Sequence, residues 1–164
     1  MKTILFLRHG KSDWDADFST DHERPLAKRG VKASAMMGRF IATCGVLPDR
    51  IITSTAVRAR TTIQLAKEAG GWDAPTRETK TLYHASPTDL LVQIRAEDDA
   101  ADVLLLVGHE PTWGSTVSRL AGGGALKYPT AALARVDFDV RRWQDVAFGN
   151  GELIWLVPPK ALAD

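Results

Sequence analysis

Two arginines and two histidines stand at points in the sequence where together they could bind and transfer a phosphoryl group. Arg8 and His9 follow an apolar stretch near the N-terminus, and His109 follows the most apolar stretch of the chain. Arg58 falls in the first turn of a predicted helix. Arginine pairs with phosphate oxygens through two parallel hydrogen bonds, and a neutral imidazole is a good nucleophile near pH 7. These residue types favour chemistry at a dianionic phosphoryl group.

Strands that alternate with helices are expected to carry these four residues to one place. Short apolar stretches predict strands over residues 3–7, 50–53 and 103–107. Apolar residues at helical spacing predict helices over residues 27–44 and 55–69, and further helices opened by Pro87 and Pro111. Ligands of open α/β sheets bind outside the carboxyl ends of the strands, where helix N-termini also favour anions. We therefore expect the two arginines and two histidines at one edge of a sheet.

The C-terminal part of the chain has the period-two pattern of a strand with one exposed face. Ala134, Val136, Phe138 and Val140 alternate with charged residues, and a second strand is predicted over 153–157. These two strands are expected to form an antiparallel pair at one edge of the sheet. The predicted architecture is a three-layer α/β/α sandwich with a mostly parallel central sheet and an antiparallel edge strand, in a single domain over residues 1–164.

Composition excludes several classes of protein. The 164 residues contain 21 Lys and Arg and 20 Asp and Glu, a net charge of +1, which gives no support to a nucleic-acid or membrane partner. Cys44 is the single cysteine, so neither an intramolecular disulfide nor a multi-cysteine zinc site is possible. The apolar N-terminal stretch is short and ends in charge, which predicts a strand rather than a signal peptide. We expect a cytoplasmic monomer.

Four motifs, in this order along the chain, resemble those of the histidine phosphatase superfamily, which includes the cofactor-dependent phosphoglycerate mutases. Residues 7–10 contain the Arg-His-Gly signature, residues 54–62 resemble the second motif, and residues 107–111 resemble the late Gly-His motif. Residues 24–26, Arg-Pro-Leu, resemble an element of the small SixA-type phosphohistidine phosphatases. Residues 82–87 and 129–133 also resemble that subgroup, so the resemblance spans the whole chain.

The resemblance implies a phosphoglycerate mutase-like fold and a role for each motif residue. His9 corresponds to the nucleophile that takes the phosphoryl group onto a ring nitrogen, and Arg8, Arg58 and His109 correspond to the phosphate pocket. Such a nucleophile needs its other ring nitrogen held as a donor, for example to a backbone carbonyl, which fixes the tautomer. Cations fixed at the phosphoryl oxygens do the work that a metal does elsewhere, so we expect no metal and no other cofactor.

Five more residues are candidates for substrate contact or proton transfer. Arg24 either reaches the phosphate or pairs with a nearby carboxylate. Lys11 and Ser12 lie in the first loop, where either can contact substrate, and Gly10 lets the backbone approach a ligand closely. Larger members of the superfamily often carry an acidic residue in a Leu-x-Glu element, whereas this chain has Leu-Tyr-His there, ending at His84. His84 is therefore the candidate proton donor.

The missing carboxylate bears on the substrate. An alkyl alcohol leaves poorly without a general acid, which supplies about 10²–10⁴-fold in rate, whereas an imidazole, with a reference pKa of about 6.5, needs less help. The leading hypothesis is a metal-independent phosphatase that forms a phosphohistidine intermediate on His9 and acts on phosphohistidine in a protein. The alternatives are a phosphatase of small phosphomonoesters and a non-catalytic phosphate-binding module. A metal-dependent hydrolase is disfavoured, because no His-x-His or His-x-x-x-His spacing occurs.

Overall fold

A mixed β-sheet runs through the centre of the fold. The structure is a computed structural model that describes residues 1–163. In these residues the six strands are β1 Lys2–Arg8, β2 Arg50–Ser54, β3 Thr76–Thr79, β4 Val103–Gly108, β5 Leu133–Phe138 and β6 Gly151–Val157. They lie in the order β3-β2-β4-β1-β5-β6. Strands β3, β2, β4 and β1 are parallel, and β5 is antiparallel to both of its neighbours. The predicted fold class is confirmed.

Helices cover both faces of this sheet. They are α1 Lys28–Thr43, α2 Val57–Gly70, α3 Pro87–Arg95 and α4 Thr112–Leu120. Alternate residues of β1 point to opposite faces: Leu5 packs in a core cluster with α1 and α2, and Phe6 packs in a second cluster with α3 and α4. This arrangement is the predicted three-layer sandwich. Within residues 1–163, no helix is long and apolar enough to cross a membrane.

Local sequence signals account for most element boundaries but not for all. Ser86 and Asp89 form a capping box that begins α3, as the Ser-Pro signal predicts. Strand β3 was not predicted, because its residues are mostly exposed and lack apolar alternation. The predicted exposed face of β5 is only partly exposed, since Arg135 and Asp137 on that face pair with each other at 3.0 Å. Strand β5 lies one position in from the edge, which β6 forms.

Helices α1 and α2 approach each other closely at a glycine. A Cβ atom on Gly38 would lie 2.0 Å from the carbonyl oxygen of Ala66. The Gly38 carbonyl also accepts a hydrogen bond of 2.9 Å from Trp72 Nε1. This contact fixes α2, and with it the first turn that carries Arg58, against the layer formed by α1.

Replacement of Gly38 by alanine should lower the free energy of unfolding by about 3 kcal/mol, because the clash is with the backbone of a neighbouring helix. Gly114→Ala is the matched control, since there the added Cβ would meet the flexible Glu110 side chain at 2.9 Å. We expect the control to change stability by less than about 1 kcal/mol. Urea unfolding followed by circular dichroism measures both. Equal effects of the two variants would contradict close helix packing at Gly38.

Candidate active site

The carboxyl ends of β1, β2 and β4 bring the predicted residues together. Arg8 is the register partner of Gly108 in the parallel pair β1–β4, and the backbone N–H of His9 donates to the Gly108 carbonyl at 3.0 Å. The residues that follow these two strands, His9 after β1 and His109 after β4, therefore leave the sheet at the same level. The rings of His9 and His109 consequently lie with their centroids 5.1 Å apart.

His9 is held as a neutral ring with a defined tautomer. Its Nδ1 atom lies 2.7 Å from the Gly10 carbonyl oxygen, and because a carbonyl only accepts, Nδ1 carries the proton. The unprotonated nitrogen is then Nε2. The side chain is buried, and burial together with the positive charges of Arg58, Arg8 and Arg24 lowers the pKa of His9 to about 4. At neutral pH the lone pair on Nε2 is available to attack an electrophile.

His109 is also a neutral, buried imidazole. Its Nε2 atom lies 2.8 Å from Ser54 Oγ. Burial, with the nearby His9 and Arg58, lowers the pKa of His109 to about 3. Ser54 also accepts a hydrogen bond of 3.2 Å from the backbone N–H of Ala56, so it serves both the start of α2 and the site.

Unpaired polar atoms are concentrated at this place. Within residues 1–163, five buried side-chain nitrogen and oxygen atoms have no hydrogen-bond partner, and three of them are Arg8 Nε, Arg58 Nε and His109 Nδ1. Buried polar groups in folded proteins are nearly always paired. Two guanidinium N–H groups and one imidazole nitrogen without partners are consistent with a pocket that is completed by an anion.

Asp21, which the sequence reasoning missed, links two arginines. Its Oδ2 atom accepts hydrogen bonds from Arg58 Nη2 at 3.0 Å and from Tyr83 Oη at 2.6 Å, and its Oδ1 atom accepts one from Arg24 Nη1. Partial burial works to raise the pKa of Asp21, but the hydrogen bonds from Tyr83 and Arg58 outweigh it and hold that pKa well below its ordinary value. Asp21 is an ionised carboxylate that neutralises part of the positive charge.

Arg24 therefore makes the carboxylate pairing that was one of its two predicted alternatives. Its Nε atom donates to Ser12 Oγ at 2.9 Å, and its guanidinium lies 3.6 Å from the centre of the Trp14 ring. Both Arg24 and Ser12 are buried. Ser12 thus contacts Arg24 and orients its guanidinium group beside the site.

The chain segment at Gly10 is tied to α2. The Gly10 N–H donates to Thr62 Oγ1 at 3.0 Å, and that hydroxyl donates to the Arg58 carbonyl at 2.7 Å. A Cβ on Gly10 would lie 2.8 Å from the Gly30 carbonyl oxygen. One close approach that Gly10 permits is therefore to Gly30 of α1.

Arg8 is fixed within the site, and the other two predicted residues, Lys11 and His84, are exposed. Arg8 Nη1 donates to the Tyr128 carbonyl at 2.8 Å, which holds this arginine in place. Lys11 is exposed, and His84 is exposed with its ring centroid 4.1 Å from that of Tyr83. Residues 1–163 contain no group of three or more His, Cys, Asp and Glu side chains placed to hold a metal ion.

The missed residues gave weak signals in the sequence. Asp21 precedes Arg24 by three residues, and Tyr83 lies within the Leu-Tyr-His element, yet neither position indicates that Asp21 contacts Arg58 and Tyr83. Those contacts join residues 37 and 62 positions apart. A search for carboxylates near a predicted arginine could have found Asp21, whereas nothing in the sequence indicates that Tyr128 would accept from Arg8.

A family model matches the part of the chain that carries Arg8, His9 and Arg58. Residues 4–85, half of the chain, match the histidine phosphatase superfamily (branch 1). The chain therefore belongs to the histidine phosphatase superfamily, and it is a phosphatase. An uncharacterized protein of Mycobacterium leprae is 32% identical over 166 residues, which cover 94% of this chain and 100% of that protein.

Solved structures place the resemblance within the superfamily. The structure of a candidate phosphohistidine phosphatase SixA from Nakamurella multipartitia has a TM-score of 0.84 and 27% identity, and the match covers 96% of each chain. The structure of the protein histidine phosphatase SixA complexed with tungstate has a TM-score of 0.85 at 23% identity, covering 98% of this chain and 99% of that chain, and so shares the fold. The likeness is to the small SixA type, as the motifs predict.

An NMR titration of the histidine ring protons should show His9 protonating near pH 4. Burial and three nearby arginines disfavour the charged ring, so the neutral form persists below the ordinary histidine pKa of about 6.5. The spectrum of His9→Ala identifies the signal. A midpoint near the ordinary value would contradict the view that this ring is buried among positive charges.

Asp21→Asn should strengthen the binding of inorganic phosphate by about tenfold, because the carboxylate competes with an anion for the same guanidinium groups. Competitive inhibition by phosphate measures the change. Asp17→Asn, a matched removal of an exposed carboxylate from the same loop, should leave the inhibition constant unchanged. Weaker phosphate binding by Asp21→Asn would mean that Asp21 serves mainly to position Arg58 and Arg24.

Proposed function

We propose that this phosphatase removes the phosphoryl group from phosphohistidine in another protein, through a phosphohistidine intermediate on His9. The observation that carries the proposal is the hydrogen bond of 2.7 Å between His9 Nδ1 and the Gly10 carbonyl. It leaves Nε2 as the unprotonated nitrogen of a buried ring among arginines. A nucleophile held in one tautomer, beside fixed positive charges, suits attack on a phosphoryl group.

In the first step the Nε2 lone pair of His9 forms a bond to phosphorus while the phosphorus–nitrogen bond of the substrate breaks. The substrate ring departs as a neutral imidazole when its second nitrogen carries a proton. His9 becomes a phosphorylated imidazolium that keeps its own proton on Nδ1, donated to the Gly10 carbonyl. The bond that breaks and the bond that forms are of the same kind, so the transfer needs no proton donor.

In the second step water attacks the phosphorus atom and the bond to Nε2 breaks. The electron pair of that bond returns to His9, which leaves as a neutral imidazole with its proton still on Nδ1. Both hydrogens of the water remain on the product, which is released as dihydrogen phosphate. The Gly10 carbonyl thus supports both steps, because it holds the proton that makes His9 a good leaving group.

Positive charge and N–H donors would stabilise the transferring group. Arg8, Arg58 and His109 have buried nitrogen atoms without partners, and these are the groups that we assign to the phosphoryl oxygens. Arg24 adds a buried positive charge beside them. Preorganised donors of this kind contribute most where charge spreads over oxygens in the transition state. The tungstate complex of the SixA relative is in keeping with an oxyanion site in this fold.

The surroundings of the site favour a substrate with a good leaving group. Asp21 is held ionised by Tyr83 and Arg58, so it is a poor proton donor. His84 is exposed and stacks near Tyr83, where no hydrogen bond orients it among the described residues. A phosphohistidine needs no donor, whereas an alkyl phosphate does. The likeness to a candidate phosphohistidine phosphatase supports the same substrate class.

Two peptides of one sequence test the substrate, one carrying phosphohistidine and the other phosphoserine at the same position. In the presence of a chelator, kcat/KM for the phosphohistidine peptide should be at least about 100-fold higher, since the serine ester lacks a proton donor. His9→Ala should abolish turnover and the acid-labile phosphoryl-enzyme that wild type forms. His84→Ala should leave turnover of the phosphohistidine peptide nearly unchanged.

Other outcomes would assign a different function. Equal rates on both peptides, with a selective loss on phosphoserine in His84→Ala, would indicate a phosphomonoesterase that uses His84 as its acid. Turnover by His9→Ala at a substantial fraction of the wild-type rate would remove His9 as the nucleophile. Binding of phosphate without turnover of either peptide would indicate a phosphate-binding module.

A further inference from the structure

A groove lined by positive side chains lies between α1 and the C-terminal segment that follows β6. Its volume is about 780 Å³. Five cationic side chains line it: Lys11, Arg29, Lys32, Lys127 and Lys160. Between them the surface is apolar, and includes Met36, Leu156 and Pro158. We call this feature the basic groove.

Among residues 1–163, no carboxylate pairs with the cations of the basic groove. The lining residues that the structure describes include no Asp or Glu, and none of the five cations forms an ion pair with another residue of the range 1–163. The whole chain has a net charge of only +1. Five of the chain's 21 positive residues therefore line one concave surface, although the chain as a whole is nearly neutral.

The basic groove adjoins the active site. Lys11 comes directly after Gly10, whose carbonyl holds His9. Pro129 and Thr130, which also line the groove, lie between two residues bonded to the site: the Tyr128 carbonyl accepts from Arg8, and the Ala131 N–H donates to the His9 carbonyl at 2.9 Å. The groove and the active site therefore share two chain segments, residues 9–11 and 128–131.

We propose that the basic groove binds an acidic segment of the phosphorylated protein, adjacent to the phosphohistidine. The proposal rests on the proposed function and names a further property of its substrate. The groove has room for several side chains, and its apolar lining suits the methylene groups of Asp and Glu while its cations meet their carboxylates. A nucleic acid is a poorer fit, because none of the described residues that line the groove has an aromatic side chain for base stacking.

Exposed cations of this kind act mainly on the rate at which the protein and its partner associate. Single exposed ion pairs contribute little to affinity, but a concentrated patch of one sign raises the rate of association with an oppositely charged partner and makes that rate depend on salt. The effect is therefore expected in kcat/KM, which includes substrate capture. The value of kcat, which reports steps after capture, should change little.

The test compares two phosphohistidine peptides whose flanking residues are either Glu or Gln. At low salt, kcat/KM should be about tenfold higher for the Glu peptide, and added salt should remove the difference. The double variant Lys32→Glu with Lys160→Glu should also remove it without changing kcat for the Gln peptide. The matched control is Arg60→Glu with Arg141→Glu, which makes the same charge change at exposed residues outside the groove and should keep the preference.

Each other result overturns a distinct claim. Equal kcat/KM for the two peptides, unaffected by Lys32→Glu with Lys160→Glu, would overturn the proposal for the groove and leave the phosphohistidine activity standing. Loss of binding to phosphatidylserine vesicles in that variant, with the peptide preference intact, would assign the groove to a lipid surface instead. If wild type hydrolyses neither peptide, the proposed function fails, and the groove is judged by fluorescence anisotropy of the unphosphorylated Glu peptide. Binding that the double variant loses would support the groove, and no binding would overturn it.

Discussion

The register between the central strands β1 and β4 is the constraint on which the site depends. Arg8 lies opposite Gly108, and the two histidines that follow leave the sheet side by side. A shift of one residue would turn each side chain to the other face and would separate the imidazole rings. Because β1 is apolar on both faces and contributes to both core clusters, its register is held by how its side chains fit their neighbours in each cluster rather than by a polar face. The core thus sets the distance between the two rings.

Charge balance explains the rest of the site. Arginine remains protonated in proteins, so three buried or partly buried guanidinium groups beside His9 need compensation. Asp21 supplies part of it by pairing with Arg58 and Arg24, and both imidazoles are neutral, so they add no positive charge. The compensation is incomplete, since the Nε atoms of Arg8 and Arg58 have no partner. An anionic ligand would complete it.

Much of the fold could be predicted because its signals are local. Helix α3 begins at a Ser-Pro pair that caps it. The continuous apolar stretch of β4 predicts a strand by itself. Strand β3 was missed because it is held by pairing with β2 rather than by burial of its own side chains. Among the predicted site residues, Gly10 was placed correctly in the loop after β1, and its lack of a side chain permits a close approach to Gly30.

The sequence by itself determined which residues could carry the chemistry, since His9, Arg8, Arg58 and His109 fall at strand ends or in the first turn of a helix. Only the tertiary structure decided their partners. Asp21 contacts Arg58 and Tyr83, which lie 37 and 62 residues away in the sequence. The basic groove forms between α1 and the segment after β6. Local patterns fix where a strand or helix ends, but a contact between distant segments depends on how the layers pack. That packing is a property of the whole core, which no single stretch of sequence contains.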